Sequence, residues 1–378
     1  MSKIRGKKEK SENQVDDFLR GIIDEINKEF KEQVVTTLVE SAASDVTRLS
    51  FGSLGYDIAT GGGAPIGRHT ILYGAESSGK TTVAILNLVQ YQKTGDKRYA
   101  LVVDSEFAFD KKYAKNLGVD LSRVIFCQPD NSDMGYKVIR KLLDRNAIGW
   151  MLTDSIASLL PQSIIDSELD ASNMGVHAKE MGKIFKSITA SISKNGVTAI
   201  WINQIRDSLG GYGGGTTIPA GKAQKFYASI MVQVFRGSKV DNKDGTFSNE
   251  GWIRVEKNKV APPFREAKYT MSHGKGICIS TEVLAYGVAC GVLYKKGHSH
   301  YYDDTLENDP EKSKDHVMLG KSKKEAVQLL NDNIEFRQGL YNNILEVYIS
   351  DADLDTSIEE LNGVEVVPIS DDYEEYND

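Results

Sequence analysis

Apolar residues recur at Val15, Phe18, Leu19, Ile22, Ile23, Ile26 and Phe30. Their intervals of three, four and seven draw one stripe along a helix over residues 14–33. A lone helix gains too little in water to stand unpacked. The stripe therefore needs cover from its own subunit or from a neighbour, and the pattern leaves both open. Residues 1–13 are polar and charged and predict disorder. After the helix, the polar stretch 31–50 holds one short β-like run at 34–39.

From about residue 50 the period changes. Short apolar runs at 70–73, 99–103, 124–126, 150–153, 197–203 and 230–235 are mostly rich in β-branched residues. That is the mark of strands buried on both faces of a parallel sheet. Helical stretches such as 81–94 and 136–146 lie between them, the alternation of an α/β layered domain. The expected organisation is an N-terminal arm, helix and linker over 1–49, for packing between subunits. An α/β core with a mostly parallel central sheet follows over 50–280. Residues 281–350, Lys-rich and helical over 323–348, predict a small C-terminal α+β domain. At 378 residues the chain exceeds the ~250–300 at which one core stops growing, which fits one large domain with smaller terminal pieces.

Composition changes this picture in three places. No run of about 18 apolar residues exists, so no helix should span a membrane. The basic start (Lys3, Arg5, Lys7, Lys8, Lys10) lacks the apolar segment of a secretory signal. Cys127, Cys278 and Cys290 are too few and too scattered for a disulfide framework or a zinc site, which points to a reducing cytoplasm. The net charge is −7, yet residues 351–378 hold 11 Asp/Glu and no Lys or Arg. Removing those 11 charges from −7 leaves +4, so a mildly basic body carries an acidic tail. Such tails are disordered, and serve solubility or compete with DNA for basic surface.

The chemistry starts at Gly74-Ala75-Glu76-Ser77-Ser78-Gly79-Lys80-Thr81. It fits the phosphate-binding loop pattern between a strand and a helix. Backbone N–H groups at the helix start face the anion. Lys80 would reach the β/γ-phosphates of ATP, and the Thr81 hydroxyl would hold Mg²⁺. Two strands end in acids, Asp104-Ser105-Glu106 and Asp154-Ser155, at the carboxyl ends where open α/β sheets bind ligands. Spacing alone does not assign one to the metal and the other to water.

Further segments carry a resemblance. Glu76 to Thr82, Asp104-Ser105-Glu106-Phe107-Ala108-Phe109-Asp110, Ile202-Asn203-Gln204-Ile205-Arg206, Lys225-Phe226-Tyr227-Ala228-Ser229 and Lys257-Asn258-Lys259 jointly resemble the bacterial RecA recombinases, in order and spacing over most of the chain. The resemblance implies a RecA-like ATPase that binds ATP and Mg²⁺, polymerises as a helical filament on single-stranded DNA and exchanges strands with duplex DNA in recombination and repair. It makes Glu106 the base that orients the attacking water and Asp154 the Mg²⁺-linked acid. Tyr113 would stack on adenine with Asp110 nearby. Gln204 would sense the γ-phosphate, and Lys257 and Lys259 would reach it from the next subunit. Lys225 and Phe226 would lie at the subunit interface. Single-strand-binding and mediator proteins would be the accessory partners. The same core also serves hexameric helicase motors and ATP-gated scaffold filaments. A helicase would supply an arginine in trans, where this chain has lysines.

Two segments are expected to meet DNA. Residues 168–175 include Met174 and Gly175, and Met174 could wedge between bases. Residues 206–222 form a glycine-rich loop holding Arg206, Gly221 and Lys222, long enough to signal function inside a compact domain. Lys179 and Lys186, seven apart, share one helix face. The family meets the DNA backbone at these two positions, which implies salt sensitivity and little sequence preference. The second loop ends Ala220-Gly221-Lys222 where the family usually has Gly-Gly-Asn. Residues 296–350 also diverge, although Lys312, Lys314, Lys321, Lys323 and Lys324 would suit duplex DNA. A bacterial or phage-borne member is implied.

Overall fold

The computed structural model describes residues 17–37, 46–166, 173–207, 216–219, 222–241, 247–272, 274–302 and 317–353. Residues 1–16, 38–45, 167–172, 208–215, 220–221, 242–246, 273 and 303–316 and the tail beyond 353, and with them Val15, Gly221, Lys312 and Lys314, lie outside the described residues. The chain divides into two compact units, Met1–Thr47 and Arg48–Asp378.

In the first unit a helix, α1, covers 17–30. The Asn27 side chain holds the chain that leaves it: Nδ2 donates to the Val35 carbonyl at 2.8 Å, and Oδ1 accepts from the Val34 and Val35 N–H groups. Residues 34–37 form no strand, and this asparagine takes the N–H groups of Val34 and Val35; the rest of the expected run lies outside the described residues. Phe18, Leu19 and Phe30 stay exposed.

The second unit opens with α2 (Leu54–Thr60) and is built on a nine-stranded sheet. In chain order come β1 (His69–Gly74), α3 (Lys80–Lys93), β2 (Tyr99–Asp104), α4 (Lys111–Asn116), β3 (Val124–Cys127), α5 (Ser132–Asp144) and β4 (Ile148–Asp154). Next are α6 (Asn173–Lys194), β5 (Thr198–Gln204), α7 (Ala223–Tyr227), β6 (Ile230–Asp241), β7 (Phe247–Asn258), β8 (Glu266–Ser272) and β9 (Gly276–Ile277). The spatial order is β9-β8-β7-β6-β1-β5-β4-β2-β3. From β6 to β3 all pairs are parallel, and from β6 to β9 all are antiparallel.

The six expected strands are present, each with small boundary shifts, and the α/β core is as read. Side-chain alternation divides the core into two layers. Leu72, Val102, Leu152 and Ile200 pack with Val83 and Leu88 of α3. Ile71, Leu101, Met151 and Trp201 pack with Ile139 of α5 and Phe185 of α6. β6 runs past residue 235 because β7 pairs with its whole length.

Beyond the sheet, α8 (Ile279–Ala289) leads to a small sheet of β10 (Leu293–Lys296), β11 (Ser299–Tyr302) and β12 (Val317–Gly320). Two helices follow, α9 (Lys323–Asp332) and α10 (Ile334–Asp353). The single helix expected over 323–348 breaks at Asn333, whose side chain accepts from the Phe336 N–H at 3.1 Å and starts a new turn.

Two buried carboxylates tie α2 to these later helices. Glu282 of α8 accepts from the Ser53 hydroxyl at 2.7 Å and the Leu54 N–H at 2.9 Å. Asp57 accepts from the Tyr341 hydroxyl at 2.6 Å, the Phe51 N–H and Ser50. Burial pushes Glu282 up to about 8 and Asp57 up to about 6, against hydrogen bonds that favour ionisation. Folding therefore favours the protonated forms. Their contribution is full below the ordinary carboxylate range and is lost as pH rises through about 6 and then about 8. Folding stability should fall between about pH 5 and pH 8, by up to about 1.4 kcal/mol per pH unit for each titrating group, and the thermal midpoint should fall with it. Glu282→Gln should flatten the upper part of that decline. An unchanged slope would show that Glu282 does not titrate there.

Candidate nucleotide site and DNA-facing segments

β1, β2, β4 and β5 bring Gly74, Asp104, Asp154 and Gln204 to one edge of the sheet, with Gly74 opposite Gln204 and Asp104 opposite Asp154. This is the carboxyl edge, where α/β sheets take ligands. The loop from Gly74 to Gly79 turns there into α3. Both glycines are obligatory. A Cβ on Gly74 would meet the Val234 carbonyl oxygen at 2.2 Å, and one on Gly79, at φ 94°, would meet Met271 at 2.6 Å. The buried Lys80 ammonium donates to the Gly74 carbonyl at 3.0 Å and reaches Ser78 Oγ at 3.4 Å. Burial lowers its pKa, opposed by the charges of Asp154, Glu106 and Glu76.

The strand-end acids divide their partners. Asp154 Oδ2 accepts from the Thr81 hydroxyl at 2.7 Å. Burial pushes Asp154 up to about 6, and the Thr81 bond opposes the rise. Asp104 instead accepts from the Ala108 and Phe109 N–H groups and from Gln128 Nε2. It shapes the turn that carries Glu106. Glu106 Oε1 accepts from Gln204 Nε2 at 2.7 Å and from Ser155 Oγ at 2.5 Å. Phe107, the next residue, is held at φ 57° and is 63% exposed. An aromatic residue in the left-handed region is strained, and such strain gathers at functional sites.

The residues expected to meet adenine stand at α4. Asp110 caps the helix, accepting from the Lys112 and Tyr113 N–H groups at 2.8 and 3.0 Å. Burial raises the Tyr113 hydroxyl, which lies 3.1 Å from Thr82 Oγ1. Thr81, Asp104, Glu106, Phe109, Tyr113 and Asp154 line a cavity of about 240 Å³.

Gln204 adjoins a second network. Asn203 Nδ2 donates to the Pro219 carbonyl at 3.0 Å and to Gln224 Oε1 at 2.8 Å, and Gln224 Nε2 also donates to Pro219. The strand that carries Gln204 is thus bonded to the far end of the glycine-rich segment. The sequence reading passed over Ser155, Asn203 and Gln224. Polar side chains within one or two residues of a strand-end acid or amide were the available signal.

Lys257 and Lys259 stand elsewhere. Lys257 Nζ donates to the Lys225 and Phe226 carbonyls, and Lys259 Nζ to Phe226 at 3.3 Å. Burial, with the Lys259 charge beside it, lowers the Lys257 pKa. Register fixes their level: Lys257 pairs with Met231, and Met231 pairs with Ile71. Lys257 is therefore three residues, about 10 Å, short of Gly74 along β1. Both lysines sit toward the edge of the sheet opposite their own phosphate loop. Beside them Lys225 is exposed, and Phe226 is 72% exposed.

Met174 and Gly175 fall in the first turn of α6 rather than in a loop. Lys179 and Lys186 are both exposed along that helix. Arg206–Asp207 pairs with Thr216–Thr217 in a short antiparallel ribbon, so the expected loop of 206–222 starts as a hairpin. Lys222 is exposed just before α7.

The RecA N-terminal domain family matches residues 17–278. The chain is 37% identical over 325 residues to the protein RecA of Clostridium tetani, covering 85% of this chain and 89% of that protein. It is 34% identical over 330 residues to the protein RecA of Porphyromonas gingivalis, covering 87% and 93%. With the protein RecA of Streptococcus sanguinis the identity is 39% over 285 residues, 74% of each chain. A glycine-bounded loop backed by paired strand-end acids, a glutamine bonded to Glu106 beside an asparagine bonded to Pro219, and matches over most of the length lead to one conclusion: the chain belongs to the RecA family.

Proposed function

We infer that this protein is an ATP-dependent DNA recombinase that forms a helical filament on single-stranded DNA and pairs it with duplex DNA. As a RecA family member it is a DNA-dependent ATPase of recombination and repair. The carrying observation is the hydrogen bond from Gln204 Nε2 to Glu106 Oε1, one residue from the bonds of Asn203 to Pro219. A group at the γ-phosphate position and a DNA-facing segment then share one backbone.

ATP would lie with its phosphates in the Gly74–Thr82 loop and its base against Tyr113 and Asp110. Lys80 would place positive charge on the β/γ-phosphates. Glu106 would hold a water in line with the γ-phosphate and accept its proton. The residues at hand suit Mg²⁺. Among the described residues no cluster of three metal-binding side chains exists, but Mg²⁺ in such sites uses one or two protein ligands, water and phosphate oxygens. Thr81 and Asp154, in mutual contact, are that set, and the ion would neutralise charge on the phosphates. Lys257 and Lys259, too far back for their own loop, would serve the next subunit, with Lys225 and Phe226 in the same interface. Arg206, Gly221 and Lys222 would meet DNA, as would Lys179, Lys186, Met174 and Gly175. Single-strand-binding and mediator proteins would be partners in a cytoplasmic setting, and no described helix is long and apolar enough to cross a membrane.

Single-stranded DNA should stimulate ATP hydrolysis well above the duplex level, and the stimulation should fall as salt rises, since backbone contacts release counterions. Intact basal hydrolysis with no stimulation across a salt series would leave an ATP-gated scaffold as the reading.

A further inference from the structure

A second cavity, of about 310 Å³, opens between β9, the start of α8 and helices α9 and α10. That is the lower end of the range for small-ligand sites. Ser272, Lys275, Cys278, Ser280, Asn331 and Arg337 contribute to its wall, and no aspartate or glutamate does. The nucleotide cavity shares none of these residues.

Its charge is uncompensated. Arg337, in the first turn of α10, is partly buried, and its side chain donates to Ser280 Oγ at 3.2 Å. Ser280 in turn donates to Asn331 Oδ1 at 2.6 Å. Among the described residues neither Arg337 nor Lys275 makes an ion pair. The buried acid two residues along α8, Glu282, is occupied by Ser53 and Leu54. Burial lowers the Arg337 pKa, with no carboxylate to restore it. A desolvated guanidinium with a neutral partner is costly unless an anion joins it. Its planar fork of donors matches a phosphate oxygen pair.

We propose that this cavity binds a phosphate group, clamped by Arg337 with Lys275 and the Ser272 hydroxyl around it. The phosphate comes either free in solution or on a DNA backbone. Bound there, it bridges β9 to α10 and stiffens the link between the sheet and the C-terminal helices. The proposal stands whether or not the recombinase reading holds.

Cys278 lies in the cavity wall and reports occupancy. The full chain, held with saturating ADP and Mg²⁺ so that the phosphate loop is filled, is alkylated with iodoacetamide. The Cys278 peptide is followed by mass spectrometry as inorganic phosphate or a blunt duplex is added at matched chloride ionic strength. Saturable protection of about five-fold or more is expected, with Cys290 unaffected. It should vanish in Arg337→Gln and weaken in Lys275→Ala, an exposed position where folding is not at stake. Protection by phosphate alone marks a free anion as the source, and protection by duplex marks the DNA backbone. Equal alkylation with and without both, or protection undiminished in both variants, overturns the proposal.

Discussion

Glu106→Gln should lower ATP hydrolysis by about two to four orders of magnitude while ATP and single-stranded DNA still bind. Glutamine keeps the size of the side chain and can still accept from Gln204 and Ser155 at one oxygen. It cannot take a proton from water. The loss should therefore fall on kcat, with KM little changed, because the interaction removed belongs to the transition state. Filament assembly with ATP should persist and outlast that of the unaltered protein. Single-turnover hydrolysis and a DNA-binding titration check this together. A kcat near the unaltered value would remove Glu106 from the chemistry, despite its contacts with Gln204 and Ser155.

The paired change Lys257→Ala with Lys259→Ala should cost about a thousand-fold or more, the scale of a cation supplied in trans to a phosphoryl group. The stronger test is a mixture. A Lys80→Ala chain lacks its own loop ammonium but can still offer Lys257 and Lys259 to a neighbour. The lysine-less chain retains a complete loop but offers nothing. In a one-to-one co-filament roughly a quarter of the interfaces would join a good loop to good lysines. Hydrolysis should reappear on mixing two inactive proteins. No recovery, in mixtures that still co-sediment on DNA, would place the lysines' action within their own chain.

The parts legible in the sequence were those where one residue pattern has one physical meaning. Five of the six parallel strands are largely buried and read as apolar runs, the edge strand β3 is apolar though only partly buried, and the phosphate loop is fixed by glycines that no other residue replaces. β7 was missed because it is half-buried. Ile253 and Val255 face the core, whereas Trp252, Arg254 and Glu256 are partly exposed between them. That alternation lacks an apolar run, although it is the signal of a strand with one face in water. The assignment of the two strand-end acids was closed to the sequence for another reason. Asp104 and Asp154 are directly opposite in the sheet, and only the turn after Asp104, which takes its oxygens, separates their partners. The buried pairs Glu282–Ser53 and Asp57–Tyr341 join residues more than two hundred positions apart, a relation no local pattern carries. The break at Asn333 was legible in principle, since asparagine favours helix starts.

The register that sets Lys257 back from its own phosphate loop makes each protomer two unlike halves, a loop toward one edge of the sheet and two lysines toward the other. An open chain of such protomers has two chemically different ends. If Lys257 and Lys259 serve the next subunit as proposed, one terminal subunit would hold a loop that no neighbour completes, and the other would present lysines with nothing to serve. With n subunits on a strand only n − 1 sites are whole, so turnover per subunit should climb with oligonucleotide length and level off. Nucleotide at the incomplete end would then be hydrolysed last, which would give the polymer a slow-ageing tip and a direction in time as well as in space.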